Sequence, residues 1–306
     1  MDCYSVLRRN KLLIHGKTER KLGVVYRLRP TEVSAIDYAP KMSITLANSF
    51  IMNVYVPVNY TQMFTFDGAT YNADNNYGGV IETIDGNDYY LVTLSLGSSE
   101  ASKDVKLVAN VVADDVNATA TFTFSIPKYA KKLLADAEAT DVEKTLVRDV
   151  LAYIKEAYNY SGFSASNSVE EIARVNALVE SIIGDYVGTP ETSGDSEDNN
   201  GGVVTAVTLN LDATPSIRFY TKDTSLKFYA NGRKLDTVSG TDEYGTYVEI
   251  DEFAYLLAET ITFGNGGSYH ISSFVKGAGE NEKALASAFV KYVESADAYR
   301  NSVIGK

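Results

Sequence analysis

The residues of this chain that are best equipped for chemistry are its carboxylates. The sequence contains 40 Asp and Glu residues but only two His and one Cys. Two carboxylates can hydrolyse a glycoside when they face each other roughly 5–10 Å apart in a cleft. Glu249, Asp251 and Glu252 come nearest to such a cluster in a predicted strand. Solvated surface carboxylates are the simpler interpretation, because acidic side chains normally face water.

A catalytic histidine would have to be His270, because His15 lies in a basic N-terminal segment. His270 falls in a predicted strand, and Thr123 occupies the corresponding position of an internal repeat. A general base is not expected to become Thr in a duplicated unit, so a structural histidine is favoured. Cys3 is the only cysteine, which excludes a disulfide framework, and no G-x-S-x-G nucleophile motif occurs. We therefore expect a protein that is not an enzyme, with no catalytic, metal-binding or cofactor-binding residue and no cofactor.

Two other kinds of site stay open. Residues 74–76, 85–88 and 241–243 concentrate oxygen-bearing side chains that could bind calcium, but none follows the twelve-residue EF-hand pattern. The same residue types are those that β-turns require. The 22 Tyr residues could form a surface on which sugars stack, although the chain has no Trp. Tyrosines also fill core and half-exposed positions of β-sandwiches.

The elements that would position these side chains occur twice. Residues 43–55 (SITLANSFIMNVY) resemble residues 208–220 (TLNLDATPSIRFY). Five pairs of apolar or aromatic residues, among them Tyr55 and Tyr220, are 165 positions apart. An internal repeat of this kind indicates a duplicated architecture and names no ligand.

A second match involves predicted helices. Residues 143–160 resemble residues 282–299, and Tyr153 and Tyr292 are among the pairs that lie 139 positions apart. The offset between the copies shortens in stages, at polar stretches such as residues 72–79. Because loops hold few buried contacts, changes of length confined to loops are typical of two diverged copies of one fold.

Short strands punctuated by turns fill residues 34–127 and 203–275, and the last of them is predicted over residues 268–274. Their spacing of about ten residues, without intervening helices, indicates sandwiches. The turn pairs Asp67-Gly68 and Asn231-Gly232 lie at corresponding positions of the two copies. We predict a mainly β fold with helices (α+β). Two duplicated immunoglobulin-like β-sandwich units are joined by a helical hairpin and followed by a C-terminal helix.

The helical segment is predicted over residues 128–187. It contains a short helix at 128–138 and two longer helices that begin at capping boxes, residues 140–143 and 168–171. The second longer helix is predicted to bury five residues, namely Ile172, Val175, Val179, Ile182 and Ile183. The C-terminal helix is predicted within residues 280–304.

The two long amphipathic helices are expected to pack against sheets. Their stripes should bury Leu146, Val150, Leu285 and Phe289. Asp149 is assigned to the opposite, solvated face, together with Arg148, Lys155 and Glu156.

Charge is distributed unevenly along the chain. The net charge is −12, yet residues 1–30 carry eight Lys and Arg against two acidic residues, which leaves −18 on the remainder. A polypeptide with this much negative charge should repel nucleic acid and anionic membranes. No stretch reaches the roughly 18 apolar residues that span a bilayer, so membrane insertion is not expected.

Two segments are expected to lie outside the folded units. Residues 1–33 form a basic segment, interpreted as the remnant of a preceding domain or a start inside a longer gene, with a nucleic-acid arm as the alternative. Their apolar runs are too short for a signal peptide. Residues 188–202 (GTPETSGDSEDNNGG) read as an acidic flexible linker.

Several short strings carry a resemblance to a known module. They are APKMSITL, VYVPV, FSIPKYAKKLL, VRDVLAYIKEAYNY, IGDYVGT, LDATPSIRFY, GTDEYGTYVEI, SYHISSF and ADAYRNSV. Together they resemble an uncharacterised C-terminal module of large secreted or cell-surface proteins of gut Gram-positive anaerobes. The resemblance covers roughly residues 34–304. It implies an extracellular or cell-surface location and an accessory role, and it assigns no catalytic residue.

The expected function is that of a non-catalytic interaction or structural module of an extracellular bacterial protein. A carbohydrate-binding accessory module is the alternative, which a solvent-exposed row of tyrosines on one sheet face would favour. A soluble inhibitor of another protein and a glycan-active enzyme are further alternatives. The expected partner is another protein or a surface glycan, and the sequence does not specify which.

Overall fold

The computed structural model describes residues 26–27, 38–46, 50–113, 116–160, 168–186, 198–210, 216–250, 254–264 and 266–304. These residues divide into two compact units. Residues up to 132 build the first unit, apart from short connections that include residues 97–100, and residues from 133 onward build the second.

The described residues of the β-rich first unit include nine strands and one 3-10 helix. The strands are β1 (Tyr26–Arg27), β2 (Lys41–Leu46), β3 (Phe50–Pro57), β4 (Thr61–Phe66), β5 (Ala69–Tyr71), β6 (Ile81–Ile84), β7 (Asn87–Leu96), β8 (Val105–Ala113) and β9 (Val116–Phe124). The 3-10 helix spans Ala73–Gly78. One sheet has the strand order β1-β2-β3-β7-β6 and the other has the order β5-β4-β8-β9.

Alternating burial explains why these strands form sheets. In β8 every second residue from Val105 to Ala113 is buried, which is the period of a strand that covers a core with one face. The buried side chains include Met52, Val54, Val56, Phe64, Phe66, Val92, Leu107 and Val111. The Asp67-Gly68 turn joins β4 to β5 with positive φ at both residues, 47° and 83°. This geometry is the one that a two-residue hairpin turn requires.

The described residues of the second unit form eight strands. They are β10 (Val204–Asn210), β11 (Ser216–Thr221), β12 (Phe228–Ala230), β13 (Arg233–Lys234), β14 (Thr237–Asp242), β15 (Gly245–Ile250), β16 (Ile261–Phe263) and β17 (Gly267–Tyr269). One sheet has the order β10-β11-β15-β14 and the other has the order β13-β12-β16-β17. Phe219 lies at the centre of the core, with ring centroids 4.6 Å from Phe228 and 5.2 Å from Phe263.

Six α-helices accompany the strands. They are α1 (Ile126–Ala135), α2 (Asp141–Asn159), α3 (Val169–Ile183), α4 (Ala254–Leu257), α5 (Ser272–Gly277) and α6 (Glu280–Ile304). The mainly β, α+β class predicted from the sequence is therefore confirmed. Among these helices, all formed by described residues, none is both long and apolar enough to cross a membrane.

The predicted cap of α2 is confirmed in full, whereas the predicted cap of α3 is confirmed in half. The Thr140 hydroxyl accepts a hydrogen bond from the Glu143 amide at 3.3 Å, and the Glu143 carboxylate accepts one from the Thr140 amide at 2.7 Å. Ser168 accepts from the Glu171 amide at 3.2 Å. The cap assigned to Ser168 comprises this single side-chain bond.

Helix α3 buries less than the sequence predicted. Only Val175 and Val179 are buried, and Ile172, Ile182 and Ile183 are half-buried. Lys155 of α2 forms an ion pair with Glu180 of α3 at 2.9 Å. A surface helix that packs through one narrow strip leaves the flanks of its apolar stripe partly in water.

Burial of Leu146, Val150, Leu285 and Phe289 is confirmed. The most extensive contact of α2 is with α6 rather than with a sheet. The assignment of Asp149 to a solvated face is wrong, because this residue is only 2% exposed. Asp149 accepts a hydrogen bond from the Tyr186 hydroxyl at 2.9 Å and lies beside Ser295 and Lys291 of α6, so contacts from outside α2 bury it.

The chain after β17 also differs from the prediction. The strand predicted over residues 268–274 ends at Tyr269, and α5 begins at Ser272. Most of the predicted linker lies outside the described residues. Its end is bonded to the second unit, because Asn199 pairs with Ser268 in an isolated bridge. Of the N-terminal segment, only β1 is described.

Candidate functional site

The outer face of one sheet in the second unit concentrates polar and aromatic side chains. Arg218 of β11 lies opposite Glu249 of β15, and Tyr220 lies opposite Tyr247. Because strand side chains alternate between faces, these four share one face. The intervening residues Ile217, Phe219, Val248 and Ile250 are buried in the core on the other face.

Arg218 is the centre of this face. Its guanidinium lies 3.2 Å from the carboxylate of Glu249 and 3.4 Å from that of Asp242. It also lies 4.4 Å from the ring centroid of Tyr247, which is a cation–π arrangement. Two carboxylates and one aromatic ring therefore fix the guanidinium, whose planar fork suits this combination.

Asp242 joins this network from β14. Its carboxylate accepts a hydrogen bond from the Tyr220 hydroxyl at 2.8 Å. Desolvation would raise the pKa of Asp242, but the hydrogen bond from Tyr220, those from the backbone amides of Tyr244 and Gly245, and the charge of Arg218 hold that pKa below its ordinary value. The carboxylate is thus kept charged, which suits it to accept hydrogen bonds from a ligand and not to act as a general acid.

Two tyrosine rings of this face are accessible from solvent. Tyr244 is 77% exposed, and its ring meets that of Tyr220 edge to face, with centroids 6.3 Å apart. Tyr247 is half-buried and lies across Gly240 of the neighbouring strand. A Cβ at position 240 would overlap the Tyr247 hydroxyl and ring. Glycine there lets the Tyr247 ring lie flat on the sheet.

The sheet face of the first unit that contains Tyr55 is different. Tyr55, Tyr89, Leu91 and Ile84 form an apolar cluster on it, and each of the four is less than 10% exposed. Lys41 lies 4.9 Å from the Tyr89 ring centroid and pairs with Asp85, so this face also combines charges with aromatic rings, but the rings of Tyr55 and Tyr89 are buried.

The sequence singled out two members of this site, Glu249 and Asp242, for different reasons. Glu249 accepts a hydrogen bond from the Ser216 hydroxyl in addition to its ion pair with Arg218. Asp251 and Glu252, with which it was grouped, lie outside the described residues. Asp242 was considered only as part of residues 241–243, a possible calcium site, and Arg218 and Tyr247 were not recognised. Their spacing becomes informative only when the pairing of β11, β15 and β14 is known.

His270 has a structural environment. Its Nε2 lies 3.1 Å from the carbonyl oxygen of Ala258, and its Nδ1 lies 3.2 Å from the backbone nitrogen of Ser272. A carbonyl only accepts and a backbone amide only donates, so the hydrogen is assigned to Nε2. The ring thus connects the chain after α4 to the start of α5. It follows β17 and is not in the strand predicted for it, while His15 and Cys3 lie outside the described residues.

The acidic turns have internal partners. Asp85 forms an ion pair with Lys41 at 3.3 Å, and Asp88 accepts from the Thr83 hydroxyl at 2.6 Å. Asn72 caps the 3-10 helix by accepting from the amides of Asp74 and Asn75. Within the part of the chain that the structure describes, no group of three or more His, Cys, Asp or Glu residues is placed to hold a metal ion.

Comparison with protein-family models, with curated proteins and with solved structures finds no match to this chain.

Proposed function

We propose that this chain is a non-catalytic interaction module of an extracellular or cell-surface bacterial protein, built from two copies of an immunoglobulin-like unit. The duplication is supported by strand order. We leave out β1 and number the eight remaining strands of each unit 1 to 8 in chain order. In both units one sheet then has the order 1-2-6-5 and the other has the order 4-3-7-8. These are the positions of strands A-B-E-D and C′-C-F-G in immunoglobulin folds. Tyr55 and Tyr220 both lie in the second of these strands.

The helices support the same duplication. Each run of eight strands is followed by a short helix, α1 or α5, and then by a long one, α2 or α6 in chain order, with α3 as an addition after α2. The repeated unit is thus a sandwich followed by two helices. The extracellular setting rests on the resemblance carried by the sequence strings.

The observation that carries the binding function is the outer face built around Arg218. It presents accessible rings at Tyr244 and Tyr247 beside one cation and two carboxylates. Such rings supply contact area at low entropic cost, and charged groups supply strong hydrogen bonds. A face with both is suited to bind a partner without reacting with it.

Carbohydrate is the ligand class that the two tyrosines favour. A sugar ring offers C–H groups to an aromatic face and hydroxyl groups to carboxylates and guanidinium. Tyr220, Tyr244 and Tyr247 lie on one side of the sheet. The ring centroid of Tyr247 is 5.9 Å from that of Tyr220, and the ring centroid of Tyr244 is 6.3 Å from it. Tyr220 itself is only 5% exposed, so the accessible part of the row is two rings long.

A glycan array with the full chain tests this ligand class. We expect binding that Tyr247→Ala and Gly240→Ala each weaken about tenfold or more, since the first removes the flat ring and the second displaces it. Tyr229→Ala is the matched control, because Tyr229 is an exposed tyrosine on the other sheet of the same unit. Loss of binding in the control, or no bound glycan, would reject carbohydrate as the ligand. Release of sugar from a bound glycan would reject the non-catalytic proposal.

A further inference from the structure

The edge strand β10 differs from its counterpart in the first unit. There, β2 has an additional strand on its outer side, since β1 pairs antiparallel with it through Tyr26↔Met42 and Arg27↔Lys41. In the described part of the second unit, β10 pairs with β11 alone. An edge strand of this kind presents backbone N–H and C=O groups that can pair with another strand.

Residues of β10 line two clefts. One, of about 340 Å³, is lined by residues 204–207 of the strand and by Ser268 of β17. The other, of about 590 Å³, is lined by residues 207–210. Both clefts reach Val207 and Tyr269. Seven residues of strand at roughly 3.3 Å each give this edge a length of about 23 Å.

The lining of the clefts suits an extended peptide. Leu209 and Phe274 are half-buried in the larger cleft, where they can receive apolar side chains at alternate positions of an added strand. Glu282 lies in the same cleft and Asp198 in the smaller one. The net charge of the chain is −12. Acidic groups in both clefts of an acidic protein favour a cationic occupant.

The strand sequence does not protect this edge. Natural edge strands are commonly blocked by Lys, Pro or bulges, and VTAVTLN contains neither Lys nor Pro. Its one irregularity is a register shift between Val204 and Ala206. Ala206 to Asn210 are paired with β11 in continuous register, so this stretch has the regular geometry that a further strand needs.

We propose that β10 is a strand-addition site, where an extended, cationic segment of a partner protein pairs antiparallel with residues 206–209. Backbone hydrogen bonds would supply affinity, and the two clefts would select alternate side chains. The site uses the edge of the sheet and not the Arg218 face, so it does not depend on the carbohydrate proposal.

The first test is titration of the full chain with a synthetic peptide of residues 21–30 (KLGVVYRLRP). This basic peptide contains the strand that pairs with β2. Nuclear magnetic resonance on the isotope-labelled chain should show saturable shifts concentrated in residues 206–209. A peptide with Pro in place of Val24 and Tyr26 is the control, since it cannot form the same backbone bonds. Shifts that the control peptide reproduces, or no shifts in β10, would overturn the proposal.

Two proline variants make the test specific. Successive backbone amides of a strand point to opposite sides. One of the two variants Thr208→Pro and Leu209→Pro therefore removes an amide that points to the open edge and keeps the bonds to β11, whereas the other removes an amide that points to β11. The variant that keeps the wild-type melting temperature should bind the peptide at least about tenfold more weakly. Undiminished binding by that variant would contradict the proposal.

Sedimentation velocity of the protein alone identifies the occupant. A monomer at all concentrations is expected when a foreign peptide is the partner. A concentration-dependent dimer that the folded proline variant abolishes would instead make a second copy of this chain the occupant, and would overturn the proposed partner.

Discussion

Tyr153 of α2 and Tyr292 of α6 stack in parallel, with ring centroids 5.6 Å apart and planes 7° apart. Each is no more than 2% exposed. The two residues occupy matching positions of the repeated helix sequence, so α2 and α6 face each other through equivalent surfaces. Phe289 adds a tilted contact to Tyr153 at 5.2 Å.

We expect Tyr153→Ala and Tyr292→Ala each to reduce the free energy of unfolding by about 3–5 kcal/mol, because each leaves a cavity between two helices. Urea unfolding measures the change. The double variant should be less destabilised than the sum, with a coupling energy of about 0.5–1.5 kcal/mol. Tyr229→Ala serves as the control and should change stability by less than about 0.5 kcal/mol. Strictly additive effects would show that the stacked contact is not energetically coupled.

The reciprocal cap of α2 allows a local prediction. Thr140→Ala removes both the acceptor of the Glu143 amide and a donor to the Glu143 carboxylate. We expect a loss of about 0.5–2 kcal/mol in the free energy of unfolding, measured by thermal or urea denaturation. Thr140→Ser keeps the hydroxyl and should retain most of that stability. Equal losses in both variants would assign the effect to the Thr methyl group.

The contribution of Asp149 to the free energy of unfolding should increase as pH falls. Burial raises its pKa, although the Tyr186 and Ser295 hydroxyls and the charges of Lys291 and Arg148 oppose that effect. A carboxyl whose folded pKa exceeds the unfolded value of about 3.9 binds its proton more tightly in the folded state. Its contribution to stability therefore increases as pH falls through the folded pKa toward the unfolded one.

Urea unfolding of Asp149→Asn from pH 7 to pH 4 measures this effect. The Asn variant cannot titrate, so its stability relative to the wild type should be greatest at pH 7 and should decline with acidification. A constant difference across that range would mean that Asp149 has no shifted pKa.

Asp242 should have the opposite effect. Hydrogen bonds from the Tyr220 hydroxyl and the backbone amides of Tyr244 and Gly245, together with the charge of Arg218, outweigh desolvation and lower its folded pKa. Its stabilising contribution is present above the unfolded value of about 3.9 and is lost as pH falls through the folded pKa.

We therefore expect Asp242→Asn to be less stable than the wild type at pH 7 and to approach it at low pH. Comparing urea unfolding of the two single Asn variants, at positions 149 and 242, reveals the difference in sign. The same sign in both would contradict one of the two pKa assignments.

Features set by a few neighbouring residues were predictable from the sequence. The Thr140 cap depends on contacts within four residues, and the Asp67-Gly68 and Asn231-Gly232 turns depend on residues that tolerate positive φ. The α+β class followed from hydrophobic periodicity. The repeat indicated equivalent segments, because matched spacings survive where loops change length.

Other features depended on contacts between distant segments. Alternation predicts which residues share a strand face, but not which strand lies beside it, so Arg218 and Glu249 could not be paired from sequence. The same limit applies to Asp149, which is buried by residues more than 130 positions away on α6. His270 was placed in a strand because its neighbours alternate, whereas contacts with Ala258 and Ser272 hold it beyond the strand's end. The sequence by itself determined local elements such as the Thr140 cap and the turns, and only the tertiary structure decided which polar side chains meet. The reason is physical, since local structure arises from short-range backbone preferences and a binding face arises from strand register.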